Sequence, residues 1–296
     1  MIVTRRRGME DEMSRFFVTP DMVGDTYITI ENSEDLHHMV KVLRLRVGDE
    51  IDVSDSSEWE YHTVITDLQE DCAEVKILDK QRFAREPETL VTLYQGVPKQ
   101  GKMELIIQKN VELGVNRIVP VFMERSVVKD NGKFGKKIGR WQKVADEAVK
   151  QCKRGIIPEV CDAISTKEMI AEFAEYDLVL FPYENENGTT IKDELRAIAD
   201  GCVMNEVCEL NEGRKPGNGG KLGEGRMPGE GDKPGEGCKS GMKIAVVIGP
   251  EGGFADSEAE RIVAAGGKSV SLGKTILRTE TAGMAALSMI MYELEM

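Results

Sequence analysis

The sequence predicts an α/β protein in two parts, a small β-rich domain followed by a larger one in which strands alternate with helices. Three observations carry this reading. The 296 residues exceed the roughly 100–200 of a typical single domain. The first eighty or so residues alternate apolar and polar side chains in short runs, whereas longer helical patterns intervene from Thr89 onward; the first pattern has strand period and the second is the α/β signature. Two glycine-bearing motifs also stand at the ends of late strands, where open α/β sheets take ligands.

The first domain is expected over residues 13–85. Its strands are Thr26–Ile30, Glu50–Ser54, Tyr61–Asp67 and Ala73–Leu78, separated by polar turns. One helix interrupts them, with Ser33 as the expected N-cap and Leu36, Met39, Val40 and Leu43 recurring at helical spacing. His37, Lys41 and Arg44 fall on its other face, with Arg46 just beyond, and together with Arg15 they make the domain's basic cluster. Such a cluster either grips phosphate or is a solvated helix face. Residues 1–12 precede the first apolar run, Phe16-Phe17-Val18; they are expected to be a loose extension, and either Met1 or Met13 can serve as the start.

The second domain, residues 86–296, opens with a strand at Leu90–Gln95. A helix over Lys102–Leu113 turns Met103, Ile106, Ile107 and Val111 inward and ends at Gly114, which can take the left-handed conformation. Arg117–Phe122 is the next strand; Arg125 lies in the turn after it, and a Lys/Gly-rich loop runs from Lys129 to Gly139. A helix over Arg140–Lys153 turns Trp141, Ala145 and Ala148 inward and aligns Lys143, Lys150 and Arg154 on another face. Asp177–Phe181 and Lys243–Ile248 are continuously apolar, as strands of a parallel sheet covered on both sides must be.

Residues 211–241 break this pattern. A six-residue unit recurs five times, and eleven of the thirty glycines fall between Gly213 and Gly241. Only Leu222 and Met227 are apolar candidates there, too few for a β-helix, and glycine does not recur every third residue as collagen requires. The G-x-G spacing misses the dinucleotide fingerprint by one residue. A flexible insertion is expected.

A hydrophobic share of 41% against 31% charged fits a globular chain. No apolar run approaches the ~20 residues that span a bilayer, so a cytoplasmic protein without membrane contact is expected. Six scattered cysteines without a C-x-x-C pair, and three histidines, suggest reduced thiols and no bound metal. Net charge of −13 argues against a nucleic-acid partner until its distribution is followed: residues 1–85 carry 11 basic and 19 acidic side chains, residues 95–155 carry 14 and 6, and residues 156–212 carry 3 and 14. A basic island of +8 between blocks of −8 and −11 is a candidate surface for phosphate.

Candidate chemistry concentrates late in the chain. Ile248-Gly249-Pro250-Glu251-Gly252-Gly253-Phe254 follows an apolar strand, and Leu272-Gly273-Lys274-Thr275-Ile276-Leu277-Arg278-Thr279-Glu280-Thr281-Ala282 opens the last helix. Neither is a phosphate-binding P-loop, because G-x-x-x-x-G-K-[ST] is absent. Either loop alone reads equally as a tight turn; a matched pair at strand ends reads as a ligand site.

On these two motifs, supported by RFFV at Arg15, HHMVKVLR from His37, KQGKMELIIQKNVELG from Lys99, ERSVV from Glu124 and RWQKVADEAVKQCKR from Arg140, the chain resembles the bacterial 16S ribosomal RNA (uracil-1498-N3)-methyltransferases of the SPOUT class. The resemblance runs in order through nearly the whole chain except the first twelve residues and the glycine repeat. It implies a trefoil-knotted SPOUT domain behind a PUA-like β-barrel, S-adenosylmethionine as cofactor, the small ribosomal subunit and its 16S RNA as partner, and a homodimer. Other readings are a SPOUT-type enzyme with another ribosomal RNA target, or a non-catalytic RNA-binding protein.

Carried over residue by residue, the resemblance assigns Gly249, Pro250, Glu251, Gly252 and Gly253 to one cofactor loop and Leu272, Gly273, Ile276 and Leu277 to the other, with Phe181 and Pro182 beside them. Methylation of uracil N3 needs that nitrogen to lose its proton as charge spreads to the ring oxygens. Arg278 is the expected cation for those oxygens, and Glu280 or water the proton acceptor. Arg15, Arg44, Lys99, Lys102, Arg125 and Arg154 are the expected contacts to RNA phosphates.

Overall fold

The computed structural model describes residues 14–83, 86–99, 101–129, 134–186, 188–198 and 241–296. The expected extension over 1–12 and the glycine repeat, apart from Gly241, lie outside these residues.

The chain divides into two units: residues up to Glu86 together with Val149–Ile157, and Pro87–Ala148 together with Pro158 onward. The first unit holds β1 (Arg15–Phe17), β2 (Tyr27–Ile30), α1 (Ser33–His37), β3 (Glu50–Ser54), β4 (Trp59–Leu68) and β5 (Ala73–Arg82). They form one sheet in the order β1-β3-β4-β5-β2, antiparallel except for the parallel pair β1 and β3. Alternation along β3 and β4 turns Ile51, Val53, Tyr61 and Ile65 inward, and Leu36 of α1 and Met39 of the helical turn that continues it over His38–Val42 join them in the core. Asn32 rather than Ser33 caps α1, its side chain accepting from the amides of Glu34 and Asp35 at 2.9 and 3.1 Å. The same helical segment leaves Val40 exposed, so the apolar stripe is narrower than its spacing suggests.

Residues 149–157 belong to this first unit because they satisfy its polar groups. Ser54 Oγ donates to the Gly155 carbonyl at 2.5 Å, and Glu86 accepts from the Arg154 guanidinium at 2.8 Å and from the Gly155 amide at 2.6 Å.

The second unit contains β6 (Leu90–Gly96), α2 (Lys102–Glu112), β7 (Arg117–Phe122), α3 (Gly135–Cys152), β8 (Glu159–Val160), β9 (Ile164–Ser165), α4 (Thr166–Ala171), β10 (Leu178–Pro182), α5 (191–198), β11 (Lys243–Ile248), α6 (Asp256–Ala264), β12 (Lys268–Val270) and α7 (Thr279–Glu295). Every pairing in its sheet is parallel, in the order β12-β10-β11-β6-β7-β8, with β9 also alongside β7. The central strands β6 and β11 are buried almost end to end, as layers on both faces demand. Gly114 ends α2 with φ of +98°. α3 begins at Gly135, not at Arg140, because Phe134 packs edge-on against Phe122 and Trp141 at 4.9 and 5.3 Å; that aromatic stack outweighs the poor helix propensity of Gly135 and Gly139. Among the described residues no helix is long and apolar enough to cross a membrane.

Candidate functional site

A cavity of about 440 Å³ opens at the carboxyl ends of β10 and β11, walled by Pro182 at the end of β10 with Tyr183 and Glu184 beyond it, by the segment after β11 and by Ser271–Thr279. Its size lies in the range of sites for small organic ligands. The wall after β11 is shaped by glycine: Gly253 has φ of +66°, and a Cβ on Gly249 would meet the Gly253 carbonyl carbon and the Phe254 ring at 3.3 Å. Phe254 anchors the loop from behind, packing edge-on against Phe181 at 5.7 Å and Tyr183 at 6.3 Å. On the opposite wall Gly273 takes φ of +116° with nothing within 4 Å of its missing Cβ, leaving backbone accessible to a ligand.

Of the expected cofactor residues, Pro182, Gly249, Pro250, Glu251, Gly253, Leu272, Gly273, Ile276 and Leu277 line this cavity. Two do not. Phe181 is fully buried in the core of the sheet, because alternation along β10 turns it away from the opening. Gly252 backs onto Arg125, whose Cβ would lie 3.0 Å from a Cβ at that position.

The electrostatics of the rim rest on Lys102, at the start of α2. Its ammonium bridges Glu251 at 3.1 Å and Glu280 at 3.0 Å, so one cation links the two walls. Burial opposes the Glu251 carboxylate, yet hydrogen bonds from the Lys99 amide, its own amide and Lys102 outweigh it and hold its pKa below the usual carboxylate value. Glu280 is likewise held low, first by its own amide and then, against burial, by Lys102 and Arg278. The hydrogen bond to Glu280, against burial and joined by Glu251, raises the pKa of Lys102.

The structure places the other expected site residues as follows. Glu280 is a stabilised carboxylate salt-bridged to Lys102. Lys102 lines the cavity, its ammonium engaged by both carboxylates. Arg154 is buried against Glu86, and Arg15 is spent on Glu60 and on the carbonyls of Lys153 and Arg154 at 2.7 and 3.1 Å. Both arginines sat in helical or strand patterns whose partners lie 68 and 45 residues away, which periodicity does not reveal. Arg44 and Lys99 are exposed, and Arg125 is exposed while donating to the Gly252 carbonyl at 3.2 Å. Arg278 stands at the rim with its side chain 83% exposed. Lys274 joins it in lining the cavity; cations counted along helix faces alone pass over one in a loop.

A parallel sheet whose strand ends carry a glycine-walled cavity, with cations at its mouth, defines an α/β enzyme that holds a small organic cofactor. The model of the RNA methyltransferase domain matches residues 85–206 and 229–291, and that of the RNA methyltransferase PUA domain matches residues 30–78. The chain belongs to the RNA methyltransferase domain family. It is 29% identical over 287 residues to ribosomal RNA small subunit methyltransferase E of Bacillus subtilis, covering 96% of this chain and 98% of that one. The protein of the same name from Synechocystis is 28% identical over 93% of this chain and 76% of its own length. Among solved structures, the ribosomal RNA small subunit methyltransferase E of Neisseria gonorrhoeae bound to S-adenosyl methionine superposes with a TM-score of 0.70 at 25% identity, covering 95% of this chain and 98% of that one.

Proposed function

We propose that the protein methylates N3 of a single uridine, the 1498-type position, in 16S ribosomal RNA, using S-adenosylmethionine. The observation that carries this is the glycine-walled cavity with a solvent-facing arginine at its lip. The cavity suits the cofactor: its size is adequate, its walls offer glycine backbone and the apolar Leu272 and Leu277, and Glu184 and Glu251 complement a ligand bearing positive charge. Gly249, Pro250, Gly253, Gly273 and Leu277 would hold it. When bound, the cofactor supplies a methyl group activated by its sulfonium charge.

The chain's own contribution is alignment and electrostatics. Arg278 stabilises negative charge on the uracil oxygens as the N3 proton leaves. With Glu280 locked to Lys102, that proton passes to water at the open rim. Lys99, Arg125 and Lys274 steer phosphate toward the cavity, and Arg44 adds a contact from the PUA-like domain assigned to residues 13–85. The target base is unstacked to enter.

A trefoil knot in the SPOUT domain, residues 86–296, fits the insertion of β11 between β10 and β6 and the close passage of Pro250 over Gly96. A homodimer fits the apolar side chains that α7 and α2 leave in solvent, Met289, Tyr292 and Leu105. Cytoplasmic location accords with a ribosomal substrate. Mass spectrometry of small-subunit RNA from cells with and without the gene tests the reading: loss of one N3-methyluridine is expected, and an unchanged modification pattern would refute it.

A further inference from the structure

Two side chains to which the sequence motifs give no role tie the two walls of the cavity together. Thr279, the first residue of α7, is buried, and its hydroxyl donates to the Gly249 carbonyl at 2.7 Å. Gln95, near the carboxyl end of β6 and wholly buried, donates through Nε2 to the Thr279 hydroxyl oxygen at 2.9 Å and to the Gly96 carbonyl at 3.1 Å. This chain of bonds has one direction. A threonine hydroxyl has a single proton, and with that given to Gly249 its oxygen can only accept; the amide must therefore turn its nitrogen toward it. The Gly249 carbonyl is thereby fixed through α7 to a strand paired on both sides, with β11 and with β7.

The arrangement has a cost to the fold. Among the described residues Gln95 Oε1 is buried with no hydrogen-bond partner, and an unpaired buried acceptor is destabilising. An apolar side chain of similar length would avoid that penalty, so packing alone does not account for a glutamine here. Stability given up at a buried position next to a ligand cavity is the pattern of a residue kept for function.

We propose that Gln95 and Thr279 are positioning residues for the cofactor, setting the spacing between the loop that begins at Gly249 and the loop that enters α7. The inference rests on reading this cavity as the S-adenosylmethionine site. Neither side chain touches the reacting atoms; both act through the Gly249 carbonyl and the backbone that follows it.

Calorimetry with S-adenosylmethionine on the full chain, alongside thermal unfolding, tests this. Thr279→Val keeps the shape and removes the hydroxyl, and it should weaken binding about tenfold, the worth of one ordinary hydrogen bond. Thr279→Ser restores the hydroxyl and should recover most of the affinity. Gln95→Met should weaken binding by a smaller factor while the melting temperature holds or rises, a combination that a purely structural role would not give. Unaltered affinity in Thr279→Val would overturn the inference, as would equal losses in the Val and Ser variants, which would trace the effect to volume. A Gln95→Met protein that loses affinity only in step with a lower melting temperature would also overturn it. Failure of the unaltered protein to bind S-adenosylmethionine would instead remove the cavity assignment on which the inference stands.

Discussion

Gly96→Ala offers a geometric test of how the cofactor loop is held. A Cβ at this position would lie 2.6 Å from Pro250 N, 2.7 Å from Pro250 Cδ and 2.9 Å from the Gly249 carbonyl carbon, where ordinary contact begins at 3.4 Å. The shortfall of about 0.8 Å falls against backbone and a rigid proline ring, and no flexible side chain can yield. β6 cannot retreat, since Gln95 pairs with Ile248 on one side and Gly96 with Val121 on the other. The loop after β11 must therefore move. Overpacking of this kind costs about 1–3 kcal/mol, which corresponds to roughly 5- to 150-fold in S-adenosylmethionine affinity if it falls on the bound arrangement. Calorimetry measures the loss, and thermal unfolding separates it from general destabilisation. Gly266→Ala, just past α6 and outside the cavity lining, is the control: with φ of +95° its Cβ meets nothing, and only backbone strain of about 1 kcal/mol with unchanged cofactor affinity is expected. A Gly96→Ala protein that binds the cofactor as tightly as the unaltered chain would refute the argument that β6 shapes the loop.

Further outcomes follow from the rim and from the first unit. Arg278→Ala should lower methyl transfer by about 10²- to 10³-fold while cofactor affinity changes little, which single-turnover assays and calorimetry together resolve. Lys102→Met leaves two carboxylates facing each other and should reduce cofactor affinity about three- to tenfold, discounted for partial exposure; a smaller salt slope of RNA binding with unchanged cofactor affinity would return Lys102 to the phosphate surface. Arg154→Met strands Glu86 in a buried setting and should destabilise the first unit by about 3–5 kcal/mol in chemical denaturation, leaving the salt slope of RNA binding unaltered. Because Glu251 and Glu280 have lowered folded-state pKa values, their contribution is complete above the free carboxylate value of 4.5 and is lost as pH falls through the lower folded values. Lys102, raised from 10.5, contributes below that value and is lost only as pH climbs past it. Loop stability followed by hydrogen exchange should thus be flat through neutrality and fail first on the acid side.

Much of the second unit is legible in its sequence because burial on both faces leaves unmistakable apolar runs at β6 and β11, and because glycine at a strand end has few uses other than a close backbone approach. The pairs that decide individual roles are not legible in this way. Lys102 reads as a surface lysine until Glu251 and Glu280 are brought to it from 149 and 178 positions further along the chain. Arg154 reads as part of a basic stripe until Glu86 covers it. Gln95 reads as the polar end of a strand, since nothing local predicts that Thr279 will stand beside it. Helix limits fail where tertiary contacts override propensity, as Phe134 and Trp141 do at the start of α3.

The membership of residues 149–157 in the first unit sets a timetable for synthesis. When Glu86 leaves the ribosome, the carboxylate that must accept from Arg154, Gly155 and Ile156 has none of these partners, and the first arrives only when 68 more residues have been added. At about 5–20 residues per second, the five-stranded sheet waits about 3 to 14 seconds with a charge it cannot yet bury. The first part of this protein to be made therefore matures only after β6, α2, β7 and α3 of the second have emerged.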